Sequence, residues 1–444
     1  MICTAAFMTP FMGSALNLAL PDISHDFSMK AVELTWLATA YLIASAIFQI
    51  PFARLADLIG RRKIFFWGIA CFTLTSVLCG FATSGTMLIV FRFLNGICSA
   101  MIFGTNIAIL SSLFPGKYRG KALGINTAVV YGALAIGPFF GGMLTHYLGW
   151  QSIFFFAGTV GLIILVLIPL FLKDEWIEAK GEKFDLTGSI IYGISLAAVI
   201  FGFSTLPELY GFICLGLGLI ASIFFVMYEK RQEYPAFNVR LFSGNRIFTL
   251  SSLAALINYA ATFAISFMLS LYLQYVRGLD AVSAGLILIS QAIVQSAFSL
   301  IAGSLTTRFS SSGLATLGMT IIVVGLAGFI LTLDVSTPFW LIITFLIFLG
   351  VGFGIFSSPN TNVIMGSVEK HFYSQASATT GTMRLTGQAI SMGIAGMAIS
   401  FLVGNKAITP KVYPAFMQSI HLTLIIFLVL CLVGIYFSSA RNKK

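Results

Sequence analysis

Charge is what this sequence has least of. Of 444 residues only 9% are Asp, Glu, Lys or Arg, while 58% are hydrophobic, and the mean hydropathy of +0.98 excludes an ordinary water-soluble domain. Acid is scarcest, with 15 Asp and Glu against 25 Lys and Arg. No G-x-x-x-x-G-K-[ST] phosphate loop occurs, and no loop is long enough for a nucleotide-binding domain, which argues against a primary pump. The four histidines (25, 146, 371, 421) are dispersed near helix ends, so no cluster suggests an enzyme or a metal centre, and no cofactor is expected. The six cysteines (Cys3, Cys71, Cys79, Cys98, Cys214, Cys431) lack the spacing of a disulfide framework or a zinc site. Residue 1 is followed at once by apolar sequence with no basic n-region, so no cleaved signal peptide is expected.

What is present is a series of long apolar runs. About 20 apolar residues cross a bilayer, and fourteen such runs predict an all-α polytopic membrane protein: 2–20, 33–53, 64–82, 86–110, 122–145, 151–172, 187–205, 211–228, 248–275, 282–304, 313–333, 339–366, 379–403 and 415–438. The net charge of +10 does not point to nucleic acid, because the basic residues fall on alternate loops. Arg54, Arg61, Arg62 and Lys63 follow run 2; Lys117, Arg119 and Lys121 follow run 4; Lys173, Lys180 and Lys183 follow run 6. Lys230, Arg231, Arg240 and Arg246 follow run 8, and Arg441, Lys443 and Lys444 end the chain, whereas the opposite loops hold Lys30, Arg277, Lys406 and Lys411. The positive-inside rule then predicts a cell-membrane protein with both termini cytoplasmic.

Three stretches carry more than hydropathy. ARLADLIGRRK (53–63) places Asp57, Gly60, Arg61 and Arg62 on a tight turn after run 2, as a conformational latch reaching the opposing bundle or as a plain topology-setting loop. LIVFRFLNG (88–96) buries Arg92 inside an apolar run, where an unsatisfied charge costs ~3 kcal/mol or more. GINTAVVYGALAIGPFFGG (124–142) combines Pro138, which frees the carbonyl of Leu134, with Gly124, Gly137 and Gly141, which permit close approach of another backbone. Antiparallel runs 4 and 5 would set Arg92 level with residues near 139, so the carbonyls around Leu134 to Pro138, Asn95 or water are its expected partners, locking runs 4 and 5 together and sealing against leak.

These stretches resemble motifs of the major facilitator superfamily: its loop motif, its fourth-helix motif and its fifth-helix antiporter motif. Fourteen helices, with LNLALPDI (16–23), YPAFNVRLFSGNRIF (234–248), LYLQYVRGLDAVSAGL (271–286) and SPNTNVIMGSV (358–368), make the whole chain similar to the fourteen-helix drug/proton antiporters. Departures are Ala53, Leu58, Ala133 and Asn95, and Met12 stands where relatives often carry a helix 1 acid. The resemblance implies a major facilitator fold. It divides into a six-helix bundle (1–172), an inserted helix pair with flanking loops (173–247) and a second six-helix bundle (248–444). GSLTTRF (303–309) echoes ARLADLI, with Thr307 where Asp57 stands, as duplicated halves require.

The function so implied is a secondary active exporter of small amphipathic compounds or drugs by alternating access with proton antiport, a monomer in the bilayer whose partners are substrate and protons. The alternative is a facilitator or exporter of a neutral or anionic metabolite without antiport; outside that class stands a non-transporting receptor. No acid falls mid-membrane in these runs, so Asp22 and Glu33 at the outer mouth are the proton-coupling candidates. Asn17, Tyr41, Gln49, Asn258, Gln291, Gln295, Arg384 and Gln388 are candidates to line the substrate path, against helix–helix hydrogen bonding for each polar group and simple snorkelling for Arg384.

Overall fold

The computed structural model describes residues 1–444 except 115–118, 207, 236, 238, 240, 241, 243, 307, 370–372, 405 and 442–444, together with the side chains of 119–121, 123, 124, 127, 128, 131, 135, 204 and 373–375. Lys117, Arg240, Thr307, His371, Lys443 and Lys444 therefore lie outside the described residues, as do the side chains of Arg119 and Lys121.

Among the described residues the chain is helical throughout. In order come α1 (Ile2–Phe27), α2 (Ala31–Ile59), α3 (Arg61–Gly80), α4 (Gly85–Leu113), α5 (Arg119–Leu148), α6 (Gln151–Phe171), α7 (Leu186–Thr205) and α8 (Leu209–Glu229). They are followed by α9 (Arg246–Ala260), α10 (Phe263–Leu271), α11 (Ala281–Leu305), α12 (Ser311–Thr332), α13 (Phe339–Gly366), α14 (Tyr373–Leu402) and α15 (Tyr413–Ala440). Thirteen segments are long and apolar enough to cross a membrane, and α5, at 30 residues, is the fourteenth crossing. The ninth is a broken helix: α9 stops at Ala260, α10 restarts at Phe263, and a π-helical turn, Tyr272–Val276, completes it. The break leaves backbone groups that other side chains must satisfy, and Ser391 of α14 accepts from the Ala264 N–H at 3.0 Å.

The first six helices pack into one bundle and the last six crossings into another, with α7 and α8 paired beside them. In that pair Gly202 lies against Leu215 and Gly218 against Val199, the close approach expected of small residues between membrane helices. The pair sits across the seam between the bundles. Tyr192 of α7 donates to the Ala46 carbonyl of α2 at 3.0 Å, and α7 also packs on α14. Apolar side chains cover the outward surface, Leu209, Phe171 and Leu331 among them, as a protein solvated by lipid tails requires.

One end of the molecule carries the basic loops; the other is where the two bundles close on each other. There the Ala31 N–H of α2 donates to the Lys406 carbonyl at 3.1 Å. A Cβ on Gly142 of α5 would stand 2.5 Å from the Ala281 carbonyl oxygen of α11, and one on Gly285 would stand 2.7 Å from that of Pro138. Helices α5 and α11 therefore touch backbone to backbone because glycine faces each carbonyl.

A central cavity between two bundles

The two halves line a central cavity between them. Six of the eight expected lining residues, Asn17, Tyr41, Gln291, Gln295, Arg384 and Gln388, stand in its wall. Gln291 with Gln295, and Arg384 with Gln388, are spaced i to i+4, which brings each pair onto one helix face. Gln49 and Asn258 are placed elsewhere. Gln49 is buried where α2 meets α14, its amide nitrogen 2.7 Å from where a Cβ on Gly381 would stand. Asn258 is fully buried in α9, and its backbone carbonyl accepts from the Thr262 hydroxyl at 2.7 Å.

Several wall residues carry no motif, Thr9, Ser14, Phe103, Thr262, Ser266 and Phe353 among them. The signal that could have found one group is helical spacing. Pro10, Gly13, Ser14 and Asn17 share one face of an otherwise apolar α1. Thr262, Phe263 and Ser266 reach the cavity at the helix break, which no periodicity marks.

Arg92 is buried to 1% exposure, and its partners correct the expectation. The carbonyls of Leu134 to Pro138 on α5 do not hold it. Its Nε donates to the Leu37 carbonyl of α2 at 3.2 Å, and its guanidinium lies 4.3 Å over the Tyr41 ring. Gly96, one turn on in α4, lets the Tyr41 carbonyl approach, while Tyr41 Oη shares a 2.7 Å hydrogen bond with Ser99 and Ser45 donates to the Gly96 carbonyl at 3.2 Å. The seam is thus α2 with α4, and Arg92 holds a tyrosine that faces the cavity. Asn95 does not serve Arg92 either; its amide donates to Ser76 Oγ at 3.0 Å and Thr75 Oγ1 at 3.1 Å on α3.

The glycine run of α5 packs elsewhere than foreseen. Gly137 and Gly141 face Ser14 and Ala15 of α1, where a Cβ on Gly141 would stand 2.5 Å from the Ala15 side chain. Pro138 lines the cavity and lies under Gly285 of α11. The described glycines Gly137, Gly141 and Gly142 join α5 to α1 and across to the second bundle. Gly124 belongs to α5, but its surroundings lie outside the described residues.

The ARLADLIGRRK turn is also corrected in its partners. Arg61, 6% exposed, donates through Nε to Asp57 at 2.8 Å, and its Nη1 reaches Ser112 at 3.1 Å and Glu178 at 3.3 Å. Its backbone N–H donates to the Trp176 carbonyl, and that of Arg62 to Glu175 at 2.9 Å. Gly60 has φ 121°, and the Glu175 carboxylate lies 2.5 Å from where a Cβ would stand. Arg54 pairs with Glu182 at 2.5 Å. Among the described residues these groups grip the acidic stretch DEWIEA after α6, not the opposing bundle, because that stretch folds back under the α2–α3 turn. The signal was the acid cluster Asp174, Glu175, Glu178 and Glu182 on an otherwise basic side.

At the closed end Asp22 lies among Asp26, His25 and His146. Asp26 accepts from the Trp150 indole at 2.8 Å, and His146 on α5 stands 3.8 Å from Asp280 at the start of α11, so this pair spans the bundles. Hydrogen bonds from Ser283 hold the Asp280 carboxyl below the usual carboxylate range. Glu33, by contrast, caps its own helix, accepting from the Lys30 N–H at 2.8 Å.

The profile of the Major Facilitator Superfamily matches residues 2–392 and 252–441. The chain belongs to this superfamily. Its relatives include the riboflavin transporter RibZ of Clostridioides difficile (strain 630), 30% identical over 83% of this chain and 80% of that protein. The multidrug resistance protein Stp of Mycobacterium tuberculosis is 27% identical over 87% of this chain and 72% of its own length. The multidrug transporter protein MdtP of Bacillus subtilis (strain 168) is 28% identical over 92% and 76%. The fold matches a bacterial homolog of the human lysosomal transporter Spinster, solved inward-facing and unoccupied, with TM-score 0.70 at 17% identity, covering 99% of this chain and 94% of that one. The protein is therefore a multi-pass membrane transporter of the major facilitator superfamily, with the paired bundles and extra helix pair described above. Superfamily membership also makes transport its activity class.

Proposed function

We propose that the protein is a secondary exporter of small amphipathic compounds, working by alternating access around the central cavity, with its basic end cytoplasmic. One observation carries the reading. A cavity walled by both bundles is closed at one end by inter-bundle contacts, the geometry in which rocking two rigid halves exposes one site to either side. The relatives named for multidrug resistance and riboflavin transport support compounds that are partly aromatic and partly polar. The wall fits such cargo: Phe103, Tyr259 and Phe353 offer ring faces, and the glutamines offer neutral donors and acceptors.

For proton coupling the reading turns to the closed end. All fifteen Asp and Glu are described, and none stands in the cavity wall, so a proton carried by antiport would be taken at the outer-mouth group around Asp22. Glu33, already engaged as a helix cap, is the weaker candidate. The same absence of acid favours a second reading, an exporter or facilitator of a neutral or anionic metabolite without proton antiport. Flux into proteoliposomes of the purified chain, with and without a pH gradient, separates the two: gradient-stimulated flux supports antiport, and gradient-independent flux supports the second reading. No flux of any compound would leave a non-transporting receptor.

A further inference from the structure

Among the described residues, Arg384 is the one charged side chain in the cavity wall. It extends from α14 in the second bundle, and its guanidinium lies 5.1 Å from the ring centre of Phe103 on α4 in the first. A ring face attracts a cation but supplies no lone pair, so the contact leaves the five N–H donors of the fork without acceptors. Among the described residues, neither a carboxylate nor a hydrogen-bond acceptor pairs with it; the ion pairs of the molecule lie at its two ends. A cation in a walled cavity without counter-charge makes the site repel cations and attract oxygen lone pairs.

The geometry points to a substrate class: we infer that the cavity takes a planar aromatic compound bearing a carboxylate, or a carbonyl oxygen beside a ring-nitrogen lone pair, with that acceptor edge on the Arg384 fork and the ring system against Phe103. This rests on the transport reading above. The fork matches two acceptor atoms on one edge as a single ammonium cannot. Tyr259 and Phe353, whose rings meet edge to face at 5.4 Å, extend the flat apolar wall beside it, and Gln388, one turn on from Arg384, adds a neutral donor. Because Arg384 and Phe103 belong to different bundles, a substrate entering between them exchanges a contact across the interface for one with each half. Snorkelling does not explain the residue, because its charged end lies against a ring in the central cavity.

Three planar dyes test the inference on the full chain in proteoliposomes: fluorescein, which is anionic, riboflavin, which is neutral with a carbonyl oxygen beside a ring-nitrogen lone pair, and rhodamine 6G, which is cationic. Fluorescein and riboflavin should bind and be transported in preference to rhodamine 6G. Arg384→Gln should weaken both by about tenfold while improving rhodamine 6G, and Arg384→Lys should recover part of the fluorescein binding but little of the riboflavin binding, since charge returns without the fork. Phe103→Leu should weaken both oxygen-rich dyes by about threefold through loss of the ring face. The wild-type ranking stands without any variant. Preference for rhodamine 6G in the wild type would overturn the inference while leaving transport intact. So would Arg384→Gln that keeps both oxygen-rich dyes within twofold. Absence of binding and flux for all three would bring down the transport reading with it.

Discussion

At the residue scale, Arg92 shows how a charge is kept inside an apolar run without an acid. Its cost is offset in part by a carbonyl and a ring face on α2, while Nη1 stays buried with no hydrogen-bond partner among the described residues. Lysine at this position keeps the charge but not the fork, and methionine removes charge and contact together. Both Arg92→Lys and Arg92→Met should insert yet lose transport by about tenfold or more, with lysine better than methionine by no more than a few-fold, because Tyr41 shifts in the cavity wall. Flux per inserted molecule measures this; near-wild-type activity in the lysine variant would mean that charge, not geometry, is what counts. Tyr41→Phe is the milder companion. It keeps the ring under Arg92 and loses the Ser99 hydrogen bond, worth about 1 kcal/mol, and should lower thermal stability slightly while sparing flux. Arg92 and Asn95 were legible as buried polar groups needing partners. Which helix supplies those partners was not, because several helices can reach any one side chain at the same membrane depth.

At the scale of elements, the glycine run of α5 is a hinge surface shared by α1 and α11. Gly142→Val and Gly285→Val put side chains where only a carbonyl fits, so both should shift the population toward the state open at this end. A cysteine introduced at Asn17 in a cysteine-depleted chain should then react faster with an impermeant thiol reagent added outside; unchanged labelling would refute the hinge. The α2–α3 turn behaves differently. Asp57→Asn keeps an acceptor for the buried Arg61 guanidinium but removes its charge, leaving Glu178 to supply the negative charge, and loss of one charge-assisted bond costs about 1–3 kcal/mol. Transport should fall several-fold with little loss of protein from the membrane, and unchanged turnover would return the turn to a topology signal. Helix number and loop polarity were readable from runs and charges. The grip on residues 174–182 was not, because complementary acids and bases 120 residues apart acquire a partner only when the chain brings them together.

For the whole molecule, the closed end carries its titratable groups across the bundle interface. Asp280, with its carboxyl held below the usual range, stays ionised at neutral and mildly acidic pH, and its contribution is present above the ordinary aspartate pKa and lost as pH falls through the lowered one. The His146–Asp280 contact, at 3.8 Å, joins α5 of one bundle to the start of α11 in the other. His146→Gln should therefore loosen closure at this end, read as faster reaction in the same thiol labelling; unchanged labelling would remove the contact from the closing interactions. Asp22→Asn should abolish stimulation of flux by a pH gradient. Full gradient-driven flux in Asp22→Asn and Glu33→Gln would exclude the outer-mouth group as the proton site.

The sequence by itself determined that the chain crosses a bilayer fourteen times and which loops share a side, because apolar run length and charge placement act locally and each span must satisfy its own backbone. The i to i+4 pairs Gln291/Gln295 and Arg384/Gln388 were legible for the same reason. Tertiary structure alone decided that Arg92 belongs to α2, that α5 serves the bundle interface, that the α2–α3 turn holds the stretch after α6, and that Arg384 faces Phe103. Each of these is a choice among partners equally available in chemistry and depth, and only the packing of the helices makes it.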